Sequence, residues 1–263
     1  MSVKVASDKS TKKVQSILNF TDNNIKKTIT CTICEMTYNS KLPVDVDLHK
    51  KYHLEFTNGI SWPNTLTPSN YLAQNFNLVV TETRPKLGKL KSIKAQNIVK
   101  ARIIVIDKTN KRQIEKVDKI LKMVNQELNA TEDSKQWRNL NFKNSKAFVI
   151  VINNKAVGLC TTDTITEGKW MIFKNQKLVP NQTISGVKIG ISRIWISPRW
   201  RQLGLGLKLL KFVTENSIYG QSLFKNQIAF SQPSSNGGKL AKSFNGVLHK
   251  SGEVLIQVYT EDV

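Results

Sequence analysis

The stretch from Val187 to Asn216, VKIGISRIWISPRWRQLGLGLKLLKFVTEN, decides the fold. Its first part, 187–197, is rich in β-branched and aromatic residues, and this pattern predicts a buried strand that Pro198 ends. Its last part, 207–216, repeats apolar residues at the helical period. A strand that passes through a short turn into an amphipathic helix is therefore the central element of the chain.

The turn between strand and helix reads Arg201-x-x-Gly204-x-Gly206 and is suited to holding phosphate. The first N–H groups of a helix have no partner inside it, and the helix dipole favours an anion there. Glycines let a diphosphate approach the backbone closely, and Arg201 adds a positive charge. An ordinary glycine turn is the alternative. A Rossmann fingerprint needs a third glycine, and a Walker loop needs Gly-Lys-Ser/Thr, which is absent.

Composition and charge limit the class of protein. The 263 residues allow one mid-sized domain and a smaller one, and 40% are hydrophobic. The net charge of +21 indicates a polyanionic neighbour, either nucleic acid or chromatin, although a membrane surface would also attract it. No apolar run approaches the roughly 20 residues that span a bilayer, and no signal-peptide core is present. We expect a soluble, intracellular protein without a membrane partner, and the three cysteines argue against a disulfide framework.

Residues 1–27 form a polar, basic segment that we predict to be a disordered tail. One apolar island interrupts it, and there Gln15, Leu18 and Phe20 resemble a peptide that binds the sliding clamp PCNA. The last two positions of that motif call for aromatic residues but hold Thr21 and Asp22. A small hydrophobic cluster in a tail is the alternative interpretation.

Residues 28–57 contain the pattern Cys31-x2-Cys34-x14-His49-x3-His53. Two thiolates from a tight turn and two imidazoles one helical turn apart form a tetrahedral cage for Zn²⁺. The pattern predicts a C2H2 zinc finger whose fold depends on the metal, because so short a segment has no adequate core of its own.

The finger also carries apolar residues at the positions of a C2H2 core, namely Ile29, Tyr38 and Val46, with two extra residues before Val46. A lone finger covers only about three base pairs of DNA. Asp45 and Asp47 in the helical part would repel phosphate. We therefore favour a structural or protein-docking role over DNA reading.

Residues 58–97 are rich in Pro, Asn and Thr, and we predict a linker there. The overlapping segment 84–122 holds thirteen Lys or Arg residues against three acidic ones. It is either a solvated face or a contact surface for nucleic acid or an acidic protein. Chromatin or DNA bound through this basic surface is the partner that the charge suggests.

Residues 98–263 have globular patterning. Predicted strands are 99–106, 147–152, 155–161, 170–173, 187–197, 228–230 and 254–259, and predicted helices are 111–129, 207–216 and 239–244. Asn153-Asn154 is a hairpin turn. Cys160 lies in an apolar strand, so we interpret it as a core residue and not a nucleophile.

The order of these elements and the Arg-x-x-Gly-x-Gly loop resemble the GNAT N-acetyltransferases. Three short sequence motifs narrow the resemblance to one group of these enzymes. They are GISRIW at 190–195, SQP at 231–233 and GGKLA at 237–241. With the preceding finger they resemble the sister-chromatid-cohesion establishment acetyltransferases of the budding-yeast type. The implied fold is α/β: a GNAT domain with a mixed central sheet flanked by helices, preceded by a small C2H2 finger.

The resemblance implies a nuclear protein lysine acetyltransferase that uses acetyl-CoA. Its implied substrate is the SMC ATPase subunit of cohesin during DNA replication, and the sliding clamp would recruit it. The backbone of Ile194, Trp195 and Ile196 would bind the pantetheine arm. The implied diphosphate loop consists of Arg201, Gln202, Leu203, Gly204, Leu205, Gly206 and Leu207. Ser234, Ser235 and Asn236 would lie at the far side of the cofactor.

The acid–base residues are less clear from the sequence. Ser192 resembles the catalytic serine of the family, but a hydroxyl is a poor base and would relay or position. Animal members carry Asp where this chain has Gln232, so the base is in doubt. Glu215 is the nearest acid on the following helix, with a solvated helix residue as the alternative. Phe244 stands where many GNAT enzymes place a tyrosine, which leaves Tyr219 as a candidate proton donor.

Two other functions remain open at this point. The missing acid and hydroxyl allow a non-enzymatic zinc-finger chromatin adaptor with a GNAT-like domain that binds acetyl-CoA or nothing. The charge and the finger also allow a sequence-specific DNA-binding factor. Turnover of acetyl-CoA distinguishes the enzyme from the adaptor, and base-pair preference identifies the DNA-binding factor.

Overall fold

The structure is a computed structural model that describes residues 28–67, 72–84, 93–130 and 132–261. The proposed clamp-binding residues Gln15, Leu18 and Phe20 lie outside the described residues. Among the described helices, none is long and apolar enough to cross a membrane.

The finger begins with an antiparallel hairpin of β1 (Thr28–Thr30) and β2 (Thr37–Asn39), followed by helix α1 (Pro43–Asn58). Pro43 opens the helix, where its missing N–H costs no hydrogen bond. Tyr38 stacks on the ring of His49 with centroids 4.0 Å apart, as a core aromatic would. Ile29, predicted as a core residue of the finger, is 47% exposed.

The described strands after the finger build one eleven-stranded sheet. These strands are β3 (Ile60–Ser61), β4 (Ala73–Arg84), β5 (Ile93–Val105), β6 (Ala147–Ile152), β7 (Lys155–Thr164), β8 (Glu167–Ile172), β9 (Leu178–Ser185), β10 (Ile189–Ile196), β11 (Ile228–Ser231), β12 (Val247–Leu248) and β13 (Val254–Tyr259). The main order is β4-β5-β6-β7-β10-β11-β13-β8-β9, with β3 beside β7 and β12 beside β13. Strand β11 runs parallel to β10 and to β13, and the other recorded pairs are antiparallel.

Helices cover both faces of this sheet. On one face, α3 (Leu205–Asn216) and α4 (Ser235–Asn245) pack on a core that includes Ile103 and Phe148. On the other face, α2 (Lys111–Leu128) and the finger share a core that includes Ile104. Neighbouring residues of β5 thus enter opposite cores, as the two-residue period of a strand requires.

The prediction of a linker across 58–97 is wrong in the described parts of this range. In its first half, Ile60 of β3 and Trp62 are each 1% exposed and belong to the core of the α2 face. Strand β4 pairs with β5 in an unbroken antiparallel register from Ala73↔Ile104 to Arg84↔Ile93. Phe76, Leu78 and Val80 pack against the core of the α3 face. Asn75, Asn77 and Thr81, which suggested a linker, occupy alternate, exposed positions of this strand.

The other predicted elements are present with shifted ends, and three further strands were missed, namely β3, β9 and β12. Helix α4 begins at Ser235, four residues before the predicted start, because Ser234 caps it by accepting a hydrogen bond from the Gly237 N–H. Strand β9 was not predicted because most of its residues are exposed and it lies at the sheet edge. Strand β12 has only two residues.

Candidate active site

Strand β10 continues beyond the end of β11, and the region beside this extension of β10 is called the wedge below. The recorded parallel pairing of these strands covers only Ile189 to Ile191 of β10. On its other side β10 pairs with β7 to Ile196, with a register shift between Ile191 and Arg193 that leaves Ser192 as a bulge. From Ser192 onward, the edge of β10 that faces β11 has no strand partner among the described residues. The Ser192 carbonyl accepts a hydrogen bond from Arg193 and the Ile196 carbonyl accepts one from Arg201. The N–H groups of this edge have no strand acceptor in the described part of the chain and are available to a ligand lying in the wedge.

The predicted phosphate loop lies at the end of β10. Gly204 caps α3 with φ of +74°, a left-handed conformation that favours glycine. A Cβ atom at Gly204 would meet nothing within 4 Å, so the space beside it is open. Helix α3 has no side-chain cap, and its first N–H groups therefore remain free to bind an anion. The loop fits a diphosphate through its backbone.

The side chain of Arg201 is occupied elsewhere. Its terminal nitrogen lies 2.6 Å from a Glu127 carboxylate oxygen on α2, and its Nε donates to the Ile196 carbonyl at 2.7 Å. The same Glu127 carboxylate accepts the indole N–H of Trp195. Instead of standing free for phosphate, Arg201 ties the loop to β10 and α2. Gln202 stays exposed, with φ of +61°.

Helix α4 packs against Gly206 of the same loop through Leu240. Its first turn contains the exposed residues Ser235 and Asn236 after the capping Ser234. Leu240 of α4 lies against Gly206, where a Cβ atom would come within 3.1 Å of the leucine side chain. Gly206 therefore permits the close approach of the two helices.

A buried polar cluster surrounds the bulge. Ser192 Oγ donates to a Glu261 carboxylate oxygen at 2.7 Å, and the Arg193 guanidinium contacts the same oxygen at 2.7 Å. The side chains of Arg193 and Glu261 are only 6% and 9% exposed. Asn125 of α2 accepts a hydrogen bond from Arg193 Nε at 2.9 Å. A serine hydroxyl and a carboxylate thus meet at the start of the wedge.

A second group of polar residues borders this cluster. Tyr259 donates its hydroxyl proton to Asp163 at 2.8 Å, and Ser134 donates to the other oxygen of that carboxylate at 2.6 Å. Burial raises the pKa of Asp163 and of the nearby Asp133 above the usual range. Burial also raises the pKa of Tyr259, so its hydroxyl stays protonated. The Tyr259 ring lies under Gly190 of β10, where a Cβ atom would come within 2.5 Å of it.

The predicted acid–base residues are not all brought together. Ser192 lies in the cluster and is 5% exposed. Glu215 is exposed in the last turn of α3 and lies 4.0 Å from Lys211. Gln232 is exposed directly after β11. Tyr219 is fully exposed, a position unsuited to protonating a buried thiolate.

Sequence reasoning missed Glu261, Asp163 and Tyr259. None of them belongs to a recognisable motif, and Glu261 is 69 residues from its partner Ser192. The one available signal was the position of Tyr259 at the end of a core strand that the topology places beside β11. Cys160 is fully buried, and burial raises the pKa of its thiol, so its interpretation as a core residue is supported.

The four predicted zinc ligands converge. The ligand atoms of Cys31, Cys34, His49 and His53 all lie within 4.8 Å of one another. His49 Nε2 is buried without a hydrogen-bond partner, as a nitrogen reserved for a metal would be. Backbone hydrogen bonds from the Cys34 and Ile33 N–H groups lower the pKa of Cys31 to about 6, which favours the thiolate that zinc requires. The donor set and its geometry fit a structural zinc site.

The finger is joined to the wedge by its helix. The Ser197 hydroxyl, one residue past β10, donates to the carbonyls of Phe56 and Thr57 at the end of α1. The Phe56 ring lies 6.3 Å from the Trp195 ring. Lys119 of α2 pairs with Glu55 at 2.6 Å. The finger therefore supports the strand that borders the wedge.

Comparison with known proteins agrees with this description. The model of the ESCO1/2 acetyl-transferase matches residues 185–259, that of the zinc-finger of acetyl-transferase ESCO matches 15–55, and that of the GNAT acetyltransferase family matches 114–217. The solved structure of the xEco2 acetyltransferase domain bound to a K105–CoA conjugate superposes with a TM-score of 0.50 at 21% identity. It covers 62% of this chain and 94% of that one. The predicted GNAT fold with an N-terminal C2H2 finger is confirmed.

Two yeast relatives extend the likeness to nearly the whole chain. The N-acetyltransferase ECO1 of Debaryomyces hansenii is 46% identical over 96% of this chain and 90% of its own length. The N-acetyltransferase ECO1 of Saccharomyces cerevisiae is 33% identical over 89% of each chain. The prediction of an acetyl-CoA-dependent acetyltransferase that also binds zinc is confirmed. This chain belongs to the ECO1 family of N-acetyltransferases.

Proposed function

We propose that this protein acetylates lysine side chains on the SMC ATPase subunit of cohesin and thereby establishes sister-chromatid cohesion during DNA replication. The observation that carries the proposal is 46% identity to an N-acetyltransferase ECO1 along both the finger and the catalytic domain. The wedge beside Ser192 supplies a site in which an acyl donor and an amine can meet. Family membership as an acetyltransferase disfavours a non-enzymatic adaptor.

Acetyl-CoA supplies a thioester whose carbonyl carbon accepts the attacking amine. The N–H groups at the start of α3, around Gly204 to Leu207, would hold its diphosphate. The unpartnered edge of β10 from Ile194 to Ile196 offers backbone donors to the pantetheine amides and to negative charge on the thioester oxygen. Ser234, Ser235 and Asn236 border the diphosphate from the side of α4.

The acceptor lysine requires help to lose its proton. Its reference pKa is near 10.4, so deprotonation at pH 7 costs about 4.6 kcal/mol. The buried cluster at Ser192 combines a hydroxyl with carboxyl groups and lies at the bulge where the wedge begins. A buried, acidic environment of this kind attracts an ammonium group and can accept its proton.

The substrate is tested by incubating the full chain with labelled acetyl-CoA and the ATPase head of the cohesin SMC subunit. We expect acetylation of specific lysines, identified by mass spectrometry, and its loss in Ser192→Ala. A head that stays unmodified under conditions where the enzyme acetylates other proteins would refute the cohesin substrate alone. The absence of any lysine acetylation would refute the proposal that lysine side chains accept the acetyl group.

Recruitment is the second part of the proposal. Gln15, Leu18 and Phe20 would bind the sliding clamp PCNA, and the net charge of +21 would favour DNA or chromatin nearby. Calorimetry with a peptide of residues 10–25 tests clamp binding, and no heat change at high clamp concentration would remove it. DNA binding through charge alone would be independent of base sequence and would weaken steeply with salt.

The same proposal places the protein in the nucleus, where its substrate and the clamp would be found. A fluorescent fusion of the full chain checks this location in living cells. Exclusion of the fusion from the nucleus throughout the cell cycle would contradict it.

A further inference from the structure

The sequence leaves the acetyltransferase without an evident proton acceptor, and the structure offers one. Gln232 has no carboxylate, and Glu215 is exposed near Lys211. Within the cluster at the bulge, Glu261 lies 2.7 Å from Ser192 Oγ. Glu261 comes from the segment after β13, which the parallel pairing of β11 with β13 brings to the wedge.

We propose that Glu261 is the positioning residue that turns Ser192 into a proton relay for the acceptor lysine. This inference rests on the proposed lysine acetyltransferase activity. The Ser192 hydroxyl donates to Glu261, so its proton is directed at that carboxylate. One acceptor site of Oγ faces Arg193 Nη1 at 3.4 Å. The second can accept a proton from the lysine ammonium, because a hydroxyl has one donor and two acceptor sites.

The hydrogen bond from Ser192 to Glu261 gives the direction in which the relay moves protons. As the ammonium gives a proton to Oγ, the Oγ proton moves to the Glu261 carboxylate. The amine nitrogen then bonds to the thioester carbon, and the carbon–sulfur bond breaks with its electron pair on sulfur. The second proton lost by the nitrogen ends on that sulfur, and Glu261 returns its proton to solvent. The sum is ammonium plus thioester giving amide, thiol and one proton.

Each element packed around Glu261 contributes a polar or charged group. Strand β10 contributes Arg193, whose guanidinium lies 2.7 Å from the Glu261 carboxylate. Strand β7 contributes Asp163, and β13 contributes Tyr259, whose hydroxyl is bonded to Asp163. The loop after α2 contributes Asp133.

Three carboxyl groups thus surround one guanidinium, in a protein whose net charge is +21. Burial raises the pKa of both aspartates, and Arg193 directs its hydrogen bond to Glu261. One Asp133 carboxyl oxygen is buried without a hydrogen-bond partner. The oxygen atoms of this cluster can accept hydrogen bonds from a cationic side chain that approaches Ser192.

The test uses the full chain with acetyl-CoA and the cohesin ATPase head, and compares Glu261→Gln with the matched control Glu167→Gln. The glutamine keeps the size and an acceptor oxygen but cannot take the proton. Glu167 is exposed at the start of β8 and lies outside the wedge. We expect kcat of Glu261→Gln at pH 7.5 to fall roughly 100-fold, the lower range for general-base catalysis, and that of the control to stay unchanged.

Three further readouts separate this role from a structural one. Calorimetric affinity for acetyl-CoA should stay within about 2-fold of the unmodified protein, since Glu261 does not reach the loop. The rate of Glu261→Gln should rise about tenfold per pH unit up to pH 9, because only lysines deprotonated in solution react. The double variant Ser192→Ala/Glu261→Gln should be as slow as Ser192→Ala alone.

Each possible outcome supports or overturns the role assigned to Glu261. An unchanged rate and pH profile in Glu261→Gln would overturn the assignment, and so would a loss of acetyl-CoA affinity or a double variant slower by the product of the single effects. Absence of lysine acetylation by the unmodified protein would refute the proposed function and this inference together. Turnover by that protein with no effect of Glu261→Gln would refute the inference alone.

Discussion

The ring of Phe56, in the last turns of the finger helix, lies 6.3 Å from the ring of Trp195, in the strand that borders the wedge. The two rings belong to one buried cluster that also contains the zinc ligand Cys34. The metal site and the strand that borders the wedge are therefore parts of a single packed structure.

Removal of zinc should weaken acetyl-CoA binding for this reason. Without the metal, the finger loses the free energy that folds it, and α1 no longer holds Ser197 and Trp195. We expect the calorimetric affinity for acetyl-CoA to fall roughly 5- to 10-fold after chelation, which corresponds to about 1 kcal/mol. Phe56→Ala with zinc bound should act in the same direction. An unchanged affinity in the metal-free chain, verified by metal analysis, would show that the two sites are independent.

Gly204→Asp should abolish most of the acetyl-CoA affinity. The substitution adds a negative charge and a side chain beside the α3 N-terminus, where the diphosphate would bind. Gly220→Asp is the matched control, because Gly220 has φ of +69° and also has open space around it but lies past the other end of α3. We expect calorimetry to give a dissociation constant for acetyl-CoA that is at least tenfold higher in Gly204→Asp than in the unmodified protein. Equal effects of both substitutions would place the diphosphate elsewhere.

The three cysteines should react in two stages with a thiol reagent such as Ellman's. Cys31 and Cys34 are zinc ligands, and Cys160 is fully buried with a raised thiol pKa. We expect no rapid reaction in the zinc-bound protein, two reactive thiols after chelation and three after denaturation. Rapid modification of Cys160 in the folded, zinc-bound protein would contradict its placement.

Asp163→Asn should change how stability depends on pH. Burial raises the pKa of Asp163, so the folded state holds this proton more tightly than the unfolded state, whose value is near 3.9. The contribution of the protonated Asp163 to stability is therefore lost as the pH rises from the unfolded-state pKa through the higher folded-state pKa. We expect the Tm of the unmodified protein, relative to Asp163→Asn, to fall as the pH is raised above about 3.9, the pKa of the unfolded state. Asp133, Arg193 and Glu261 are present in both proteins, so a constant difference would contradict the raised pKa.

Gly190→Ala should destabilise the domain. The new methyl group would come within 2.5 Å of the Tyr259 ring, whose hydroxyl is held by Asp163. Overpacking of this kind costs about 1–3 kcal/mol in the free energy of unfolding, measured by urea denaturation. Gly237→Ala is the control, because Gly237 lies in α4 with nearest contacts of 3.4 Å, and alanine favours the helix. An unchanged free energy of unfolding in Gly190→Ala would mean that the Tyr259 ring can move aside.

Local sequence patterns predicted much of the fold. The helix at 111–128, the hairpin at Asn153-Asn154 and the loop after β10 follow from periodicity and turn chemistry. Strand β4 was missed because its outward positions carry Asn and Thr, which are also typical of linkers. The zinc ligands could be predicted because spacing along the chain determines their geometry. The partner of Ser192 could not be, because the contact with Glu261 depends on the order of strands in the sheet.

The hydrogen bonds from Ser197 to the finger helix have a consequence for how the chain can be divided. A fragment that begins after Asn58 would expose the indole of Trp195 and the apolar side chains around it to water. It would also leave the Ser197 hydroxyl without its acceptors. Such a truncated catalytic fragment should aggregate on purification, because the folding unit extends beyond the boundary that the motifs suggest.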